Sequence, residues 1–399
     1  MEILGVKASS IESPASVDEA AAVLARAAGE KRRIAFLGGG TELDLGPKPT
    51  ALDTIVTTAK MTRILEYAPA DMVMVCEGGV TLQQVQRTAG EHRQRLMLDA
   101  PQPARATLGG LVATAGFGPL RARYGGIRDL IIGVGLIRAD GSIARGGGKV
   151  VKNVAGFDLP KVACGSLGTL GLIATANFRL HPLPETIATC LFPALPPQRV
   201  TELLTSARTA QLEPAGAVAL RNAAGTYDLG LRYEGFQKGV QQQMARTLEL
   251  AQKAGVPCEP LAEPASSDFW ARHDAVRERG TLRLRIASLP SKLLSIDSLL
   301  RPVFDSFHIP AFAWYATIGV GFISGEPIEN IHITALEAAR SALCTAGGSL
   351  VIDAAPASIR AAIDTWGPVP KGTFALMERL KNNFDPERRL NPGRYVGGI

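Results

Sequence analysis

Residues 106–184 read ATLGGLVATAGFGPLRARYGGIRDLIIGVGLIRADGSIARGGGKVVKNVAGFDLPKVACGSLGTLGLIATANFRLHPLP, and the fold is decided here. The stretch is dense in Gly, Ala and Thr, turns once at Asp140-Gly141, and carries Lys152-Asn153 between two glycine clusters. A backbone with so few side chains can approach something large, flat or phosphorylated. Upstream, Arg33–Leu37 reads as a strand running into Gly38-Gly39-Gly40-Thr41. A glycine run after a strand presents its N–H groups as an anion-binding nest. Together the two segments point to a bound dinucleotide. The G-x-G-x-x-G fingerprint is missing, because Gly40 is followed by Thr41, Glu42 and Leu43. A P-loop is missing too, since Gly148-Lys149 is followed by Val150 and position 143 is Ile143.

The 399 residues, 46% of them hydrophobic, suffice for two cored domains, and 20% charged residues argue against long disorder. A net charge of +6 suits an anionic ligand. The Lys and Arg residues are scattered, without an aromatic stacking platform, which excludes nucleic acid as a partner. Five cysteines (Cys76, Cys164, Cys190, Cys258 and Cys344) lie far apart with no Cys-x-x-Cys. That spacing fits neither an iron–sulfur cluster nor structural zinc in this chain, and the odd count argues against a disulfide framework. The N-terminus lacks the pattern of a signal peptide, and no apolar run approaches a membrane span. The expected location is cytoplasmic, with membrane contact only through a partner.

Outside the glycine segments, Ser16-Val17-Asp18-Glu19 reads as a capping box before a helix. Short strands are expected at 54–57, 64–67 and 72–76, then a helix from Thr81 to Glu91 capped by Thr81 and Gln84. Strands 130–138 and 142–145 join through Asp140-Gly141. Beyond Pro184, helices at 199–210, 237–254 and 327–346 mix with strands at 216–220, 229–233 and 283–287. The lack of strict alternation favours α+β over a doubly wound sheet.

The order GGGT, P-x(5)-TLGGLVAT-x-G, RYGGIRD, ADG, KNVAGFDL, GSLGTLGLI and RLHPLP resembles the FAD-binding domain of the vanillyl-alcohol oxidase / p-cresol methylhydroxylase superfamily. The C-terminal LMERLKNNFDPERRLNPGRY is similar to that family's closing helix and turn. The resemblance implies an α+β chain in three parts. A two-subdomain p-cresol methylhydroxylase-type FAD-binding domain covers 1–185 and an α+β cap domain 186–365. A C-terminal segment, 366–399, has a helix that returns to pack on the FAD domain. It places Gly38, Gly39, Gly40 and Thr41 on the pyrophosphate. Pro101, Thr107, Gly109, Gly110, Ala113, Thr114 and Gly116 would line the flavin and phosphate groove, with Tyr124 and Gly125 in the same layer and Ile173 adding backbone contacts. Lys152 is the candidate for a positive charge near the cofactor. The family's basic residue before the glycine triplet is replaced here by Leu37, and the histidine of flavin-linking relatives is absent, so the expected FAD is non-covalent.

Relatives that oxidise 2-hydroxy acids carry a histidine-rich metal motif in the cap and a Glu-His pair before the last helix. The corresponding stretches, 311–321 and 364–368, contain neither. Abstracting a proton from a hydroxy acid needs a positioned base. The five histidines (His92, His181, His273, His308 and His332) show no metal-ligand spacing. No metal site and no catalytic residue are assigned. The resemblance implies one FAD-binding subunit of a multi-subunit oxidoreductase that turns a small 2-hydroxy acid such as glycolate into glyoxylate. The metal would sit on a homologous FAD-containing catalytic subunit and the clusters on an iron–sulfur subunit. Two alternatives stay open: a self-sufficient dehydrogenase using His273 or Tyr315 as base, and a scaffold without FAD. Arg283 and Arg285 share one strand face, available to a carboxylate or simply to solvent.

Overall fold

The computed structural model describes residues 1–150, 156–328 and 333–399. The chain divides into two compact units. The first comprises 1–118, 125–183 and 368–399, and the second 119–124 and 184–367. Lys152, and residues 329–332 with His332, fall outside the described residues. Of the helix expected over 327–346, Pro327 and Ile328 are not helical, and the described helix is Ile333–Thr345.

Two sheets build the first unit. A parallel one has the order Ser10–Glu12, Thr54–Thr57, Ile34–Leu37. The helix Val17–Gly29 belongs with it: Ser16 Oγ accepts from the amide of Glu19, while the Glu19 carboxylate reaches back to the amide of Ala15. Its apolar stripe (Ala20, Val23, Leu24 and Ala27) is buried in a core shared with Ile34, Val56, Ile137 and Leu172. The second sheet is antiparallel, in the order Ile143–Gly147, Ile131–Ile137, Leu172–Arg179, Val73–Glu77, Ile64–Ala68. Its hairpin turns at Asp140-Gly141, where the Asp140 side chain accepts from the amide of Ser142. Leu82–Gly90 is helical and capped by Thr81, whose hydroxyl accepts from Gln84.

The glycine-rich stretch also contains a helix that periodicity did not reveal, Leu108–Thr114. Thr107 caps its start, and Ala115 in a left-handed conformation (φ 52°) ends it. The C-terminal helix Lys371–Phe384 belongs to this unit as well. Beyond it the chain inserts buried cations among backbone carbonyls. Arg389 donates to Ala27, Arg32 and Ala139, and Arg394 to Leu43, Leu45 and Pro47.

The second unit is one eight-stranded antiparallel sheet. Its order is Glu259–Leu261, Thr186–Leu195, Tyr227–Gly235, Gly216–Arg221, Ala311–Tyr315, Val320–Gly325, Leu282–Ala287, Ser349–Ala354. Alternation along each strand gives the sheet two distinct faces. One carries Phe192, Leu231, Phe312, Trp314, Leu284 and Ile352 into a single core, closed by the helices Pro197–Thr209, Gln237–Ala254, Leu293–Phe304 and Ile333–Thr345. The opposite face is polar and aromatic and receives the helix Ala265–Glu278. Among the described residues, no helix is long and apolar enough to cross a membrane.

Candidate functional site

Two adjoining clefts lie in the first unit where the strand Ile34–Leu37 opens into the glycine triplet. They are narrow, about 100 and 70 Å³. Gly38, Gly39, Gly40, Thr41, Thr107, Gly110, Ala113 and Thr114 line the first. Gly38, Gly109, Gly110, Ala113 and Ile173 line the second. Ten of the residues expected at the cofactor therefore gather in one place, drawn from segments far apart in sequence.

The glycines do something more specific than leave space. A Cβ on Gly38 would collide with the Thr107 hydroxyl, and one on Gly39 with the carbonyl of Arg105. The two loops are in backbone contact, and side chains would force them apart. Gly109 packs in the same way against Gly78 and the carbonyl of Ile173. Only Gly40 of the triplet needs the left-handed region, at φ 71°. Among the described residues, the amides of Gly38, Gly39, Gly40 and Thr41 donate to no protein acceptor. These four successive residues are half-buried and line the cleft, and their N–H groups are costly unless water or an anion accepts from them. A diphosphate supplies such acceptors, so the residues present fit FAD.

The structure also brings in residues that the sequence reading had not assigned. Asn391 borders both clefts and donates its side-chain amide to Leu167 (2.6 Å), while its backbone pairs with Ile34. Arg394, Glu42, Phe36, Leu167 and Gly168 complete the walls. The signal was in plain view in LNPGR and GSLGTLG, which are turns in sequence and become walls only when the chain's end folds back. Other assigned residues stand elsewhere. Pro101 and Gly116 line neither cleft. Gly125 (φ 82°) shapes a turn beside Asp129, whose carboxylate accepts from the amide of Gly126. Tyr124 belongs to the second unit, where its hydroxyl donates to the buried carboxylate of Glu234 (3.3 Å).

In the second unit the polar sheet face joins the two residues considered as possible bases. His273 Nε2 lies 2.7 Å from the Tyr315 hydroxyl and its Nδ1 2.9 Å from the Asp274 carboxylate. Both rings are sealed, at 2% and 1% exposure. Trp270 donates to the Thr189 hydroxyl, Arg277 stacks 4.5 Å from the Phe322 ring centroid, and Arg232 pairs with Glu234. Arg283 donates to the carbonyl of Arg277, and Arg285 pairs with Asp353. Among the described residues, no three His, Cys, Asp or Glu side chains are arranged to hold a metal.

Comparison with known proteins agrees with the cleft. Residues 8–147 match the family described as FAD binding domain. Over 423 aligned residues the chain is 26% identical to a probable mitochondrial D-lactate dehydrogenase of Danio rerio, covering 96% of this chain and 83% of that one. Over 183 residues it is 32% identical to glycolate oxidase subunit GlcD of Bacillus subtilis, covering 45% of this chain and 38% of the relative. The fold is that of p-cresol methylhydroxylase, solved with substrate bound, at a TM-score of 0.73 and 15% identity over 99% of this chain and 91% of that one. The glycine loops, the clefts they enclose and these likenesses agree: the chain is an FAD-dependent oxidoreductase built on the p-cresol methylhydroxylase-type FAD-binding fold.

Proposed function

We propose that this chain is the FAD-binding subunit of a multi-subunit 2-hydroxy-acid oxidase, corresponding to the E subunit of bacterial glycolate oxidase. Substrate chemistry lies mainly on a homologous subunit that holds FAD and metal, and electrons leave through an iron–sulfur subunit. The chain itself contributes assembly or electron relay. The likeness to glycolate oxidase subunit GlcD supports the substrate class.

One observation carries the division of labour. Bound FAD accepts the electrons and hydrogen of a C–H bond, but the hydroxyl proton needs a base in reach. His273 and Tyr315, the pair considered for that task, hydrogen-bond to each other and are buried inside the second unit. His92 and His308 are exposed, and burial beside Arg179 and Arg95 pushes His181 below the usual imidazole range. The scaffold reading without FAD is set aside, because an FAD-binding domain is present.

A self-sufficient dehydrogenase is the second reading, favoured by the nearly full-length alignment to a D-lactate dehydrogenase. The two separate in an anaerobic visible spectrum of the isolated chain with glycolate or D-lactate added. Flavin bands that persist agree with the subunit reading. Bands that bleach with either acid overturn it in favour of the second.

A further inference from the structure

Two phosphate charges brought into a half-buried cleft are held more strongly by cations and amides together than by amides alone. The position before the triplet offers none: Leu37 is apolar and packs into a small core with Ile3, Leu52 and Ile55. Arg394 borders the cleft, but its guanidinium is buried and donates to the carbonyls of Leu43, Leu45 and Pro47. Glu42, in the same wall, opposes an anion.

One cation stands differently. Arg105 precedes the cleft-lining Thr107 by two residues, and its own carbonyl is the group pressed against Gly39. Its side chain folds back over that contact, with Nη2 donating to the carbonyl of Gly39 at 3.1 Å and lying beside Gly40. Its other partner is the Gln102 side chain at 3.4 Å. Both partners are neutral. Among the described residues no carboxylate pairs with it, and its side chain is exposed. Arg105 lines neither cleft itself, but its guanidinium is held against Gly39 and Gly40, which line the first, and it has N–H groups to spare for an anion there.

We propose that Arg105 is the diphosphate-binding cation of this FAD site, supplied by the loop opposite the glycine triplet. The proposal rests on the placement of FAD in this cleft. It makes Arg105 a cofactor-binding residue, with no part in substrate chemistry.

The test compares FAD dissociation constants for flavin-stripped wild type, Arg105→Gln and Arg105→Lys, read by quenching of flavin fluorescence at two salt concentrations. Riboflavin, which lacks the diphosphate, is titrated in parallel. The glutamine variant should bind FAD about tenfold more weakly or worse, with a shallower salt dependence, while its riboflavin affinity stays unchanged. The lysine variant should recover most of the loss, because charge rather than loop bracing is at stake. Equal FAD affinity and equal salt slope in wild type and Arg105→Gln would overturn the proposal. So would a parallel loss of riboflavin affinity, which marks a bracing role. A stripped wild-type chain that takes up riboflavin but gains nothing from the diphosphate overturns the placement of FAD itself, and this inference with it.

Discussion

At the scale of single residues, the site depends on glycines for contact between loops more than for contact with a ligand. Gly39→Ala has to push its loop off the Arg105 carbonyl. It should cost about 1–3 kcal/mol of stability even in the flavin-free protein, measured by denaturant unfolding. A role confined to the ligand would leave the flavin-free protein unchanged. Cysteine reactivity divides along equally local lines. Burial pushes the Cys76 and Cys164 thiols up to about 12. The hydrogen bond from Cys190 instead holds Cys258 below the ordinary thiol range. Because the thiolate is the nucleophile, iodoacetamide at neutral pH should label Cys258 well before Cys76 or Cys164 in peptide mass mapping. The glycine triplet and Thr107 were legible from sequence because their types are unusual in clusters. Asn391 and Arg105 were not, because an asparagine in a C-terminal turn and a surface arginine look ordinary until the fold sets them against the triplet.

Among the elements, the closing segment is the one whose role is easiest to underestimate. The Lys381 ammonium is buried and donates to the carbonyls of Thr169 and Leu390 and to Asp385 (2.7 Å). Burial lowers its pKa, and the Asp385 charge opposes that shift. Asp385 in turn accepts from the amide of Leu390, which starts the turn that delivers Asn391 to the clefts. Lys381→Met leaves an unpaired buried carboxylate and should destabilise by about 3–5 kcal/mol. Adding Asp385→Leu should recover part of that loss in the same chemical-denaturation measurement. Capped helices were readable in advance: the caps at Ser16 and Thr81 are where the sequence puts them, and Gln237–Ala254 is helical over the expected span. The helix Leu108–Thr114 was hidden because Gly109 and Gly110 weaken its intrinsic propensity. It exists because Thr107 caps it and because Gly165 and Leu167 donate to its carbonyls at Val112 and Ala113.

For the whole molecule, composition and motif order were enough to indicate an α+β flavoprotein. They could not indicate that 119–124, Tyr124 included, groups with the second unit. No local periodicity marks a six-residue excursion. The polar face of the eight-stranded sheet was visible only as the alternation of Arg283 and Arg285, since its other members come from five further elements. Ligand linkage provides a test at this scale. FAD at a hundredfold excess over its dissociation constant should stabilise the protein by about 2.7 kcal/mol, with a midpoint that keeps rising as FAD is added.

The central claim, that FAD occupies the clefts between the glycine triplet and the helix Leu108–Thr114, is tested most directly by flavin content. Ala113 borders both clefts, so Ala113→Phe fills them. The account predicts one FAD per purified wild-type chain, and a variant that keeps its circular dichroism but loses its flavin. A folded Ala113→Phe protein with full flavin content, or a wild-type chain without flavin that takes up none, would contradict it.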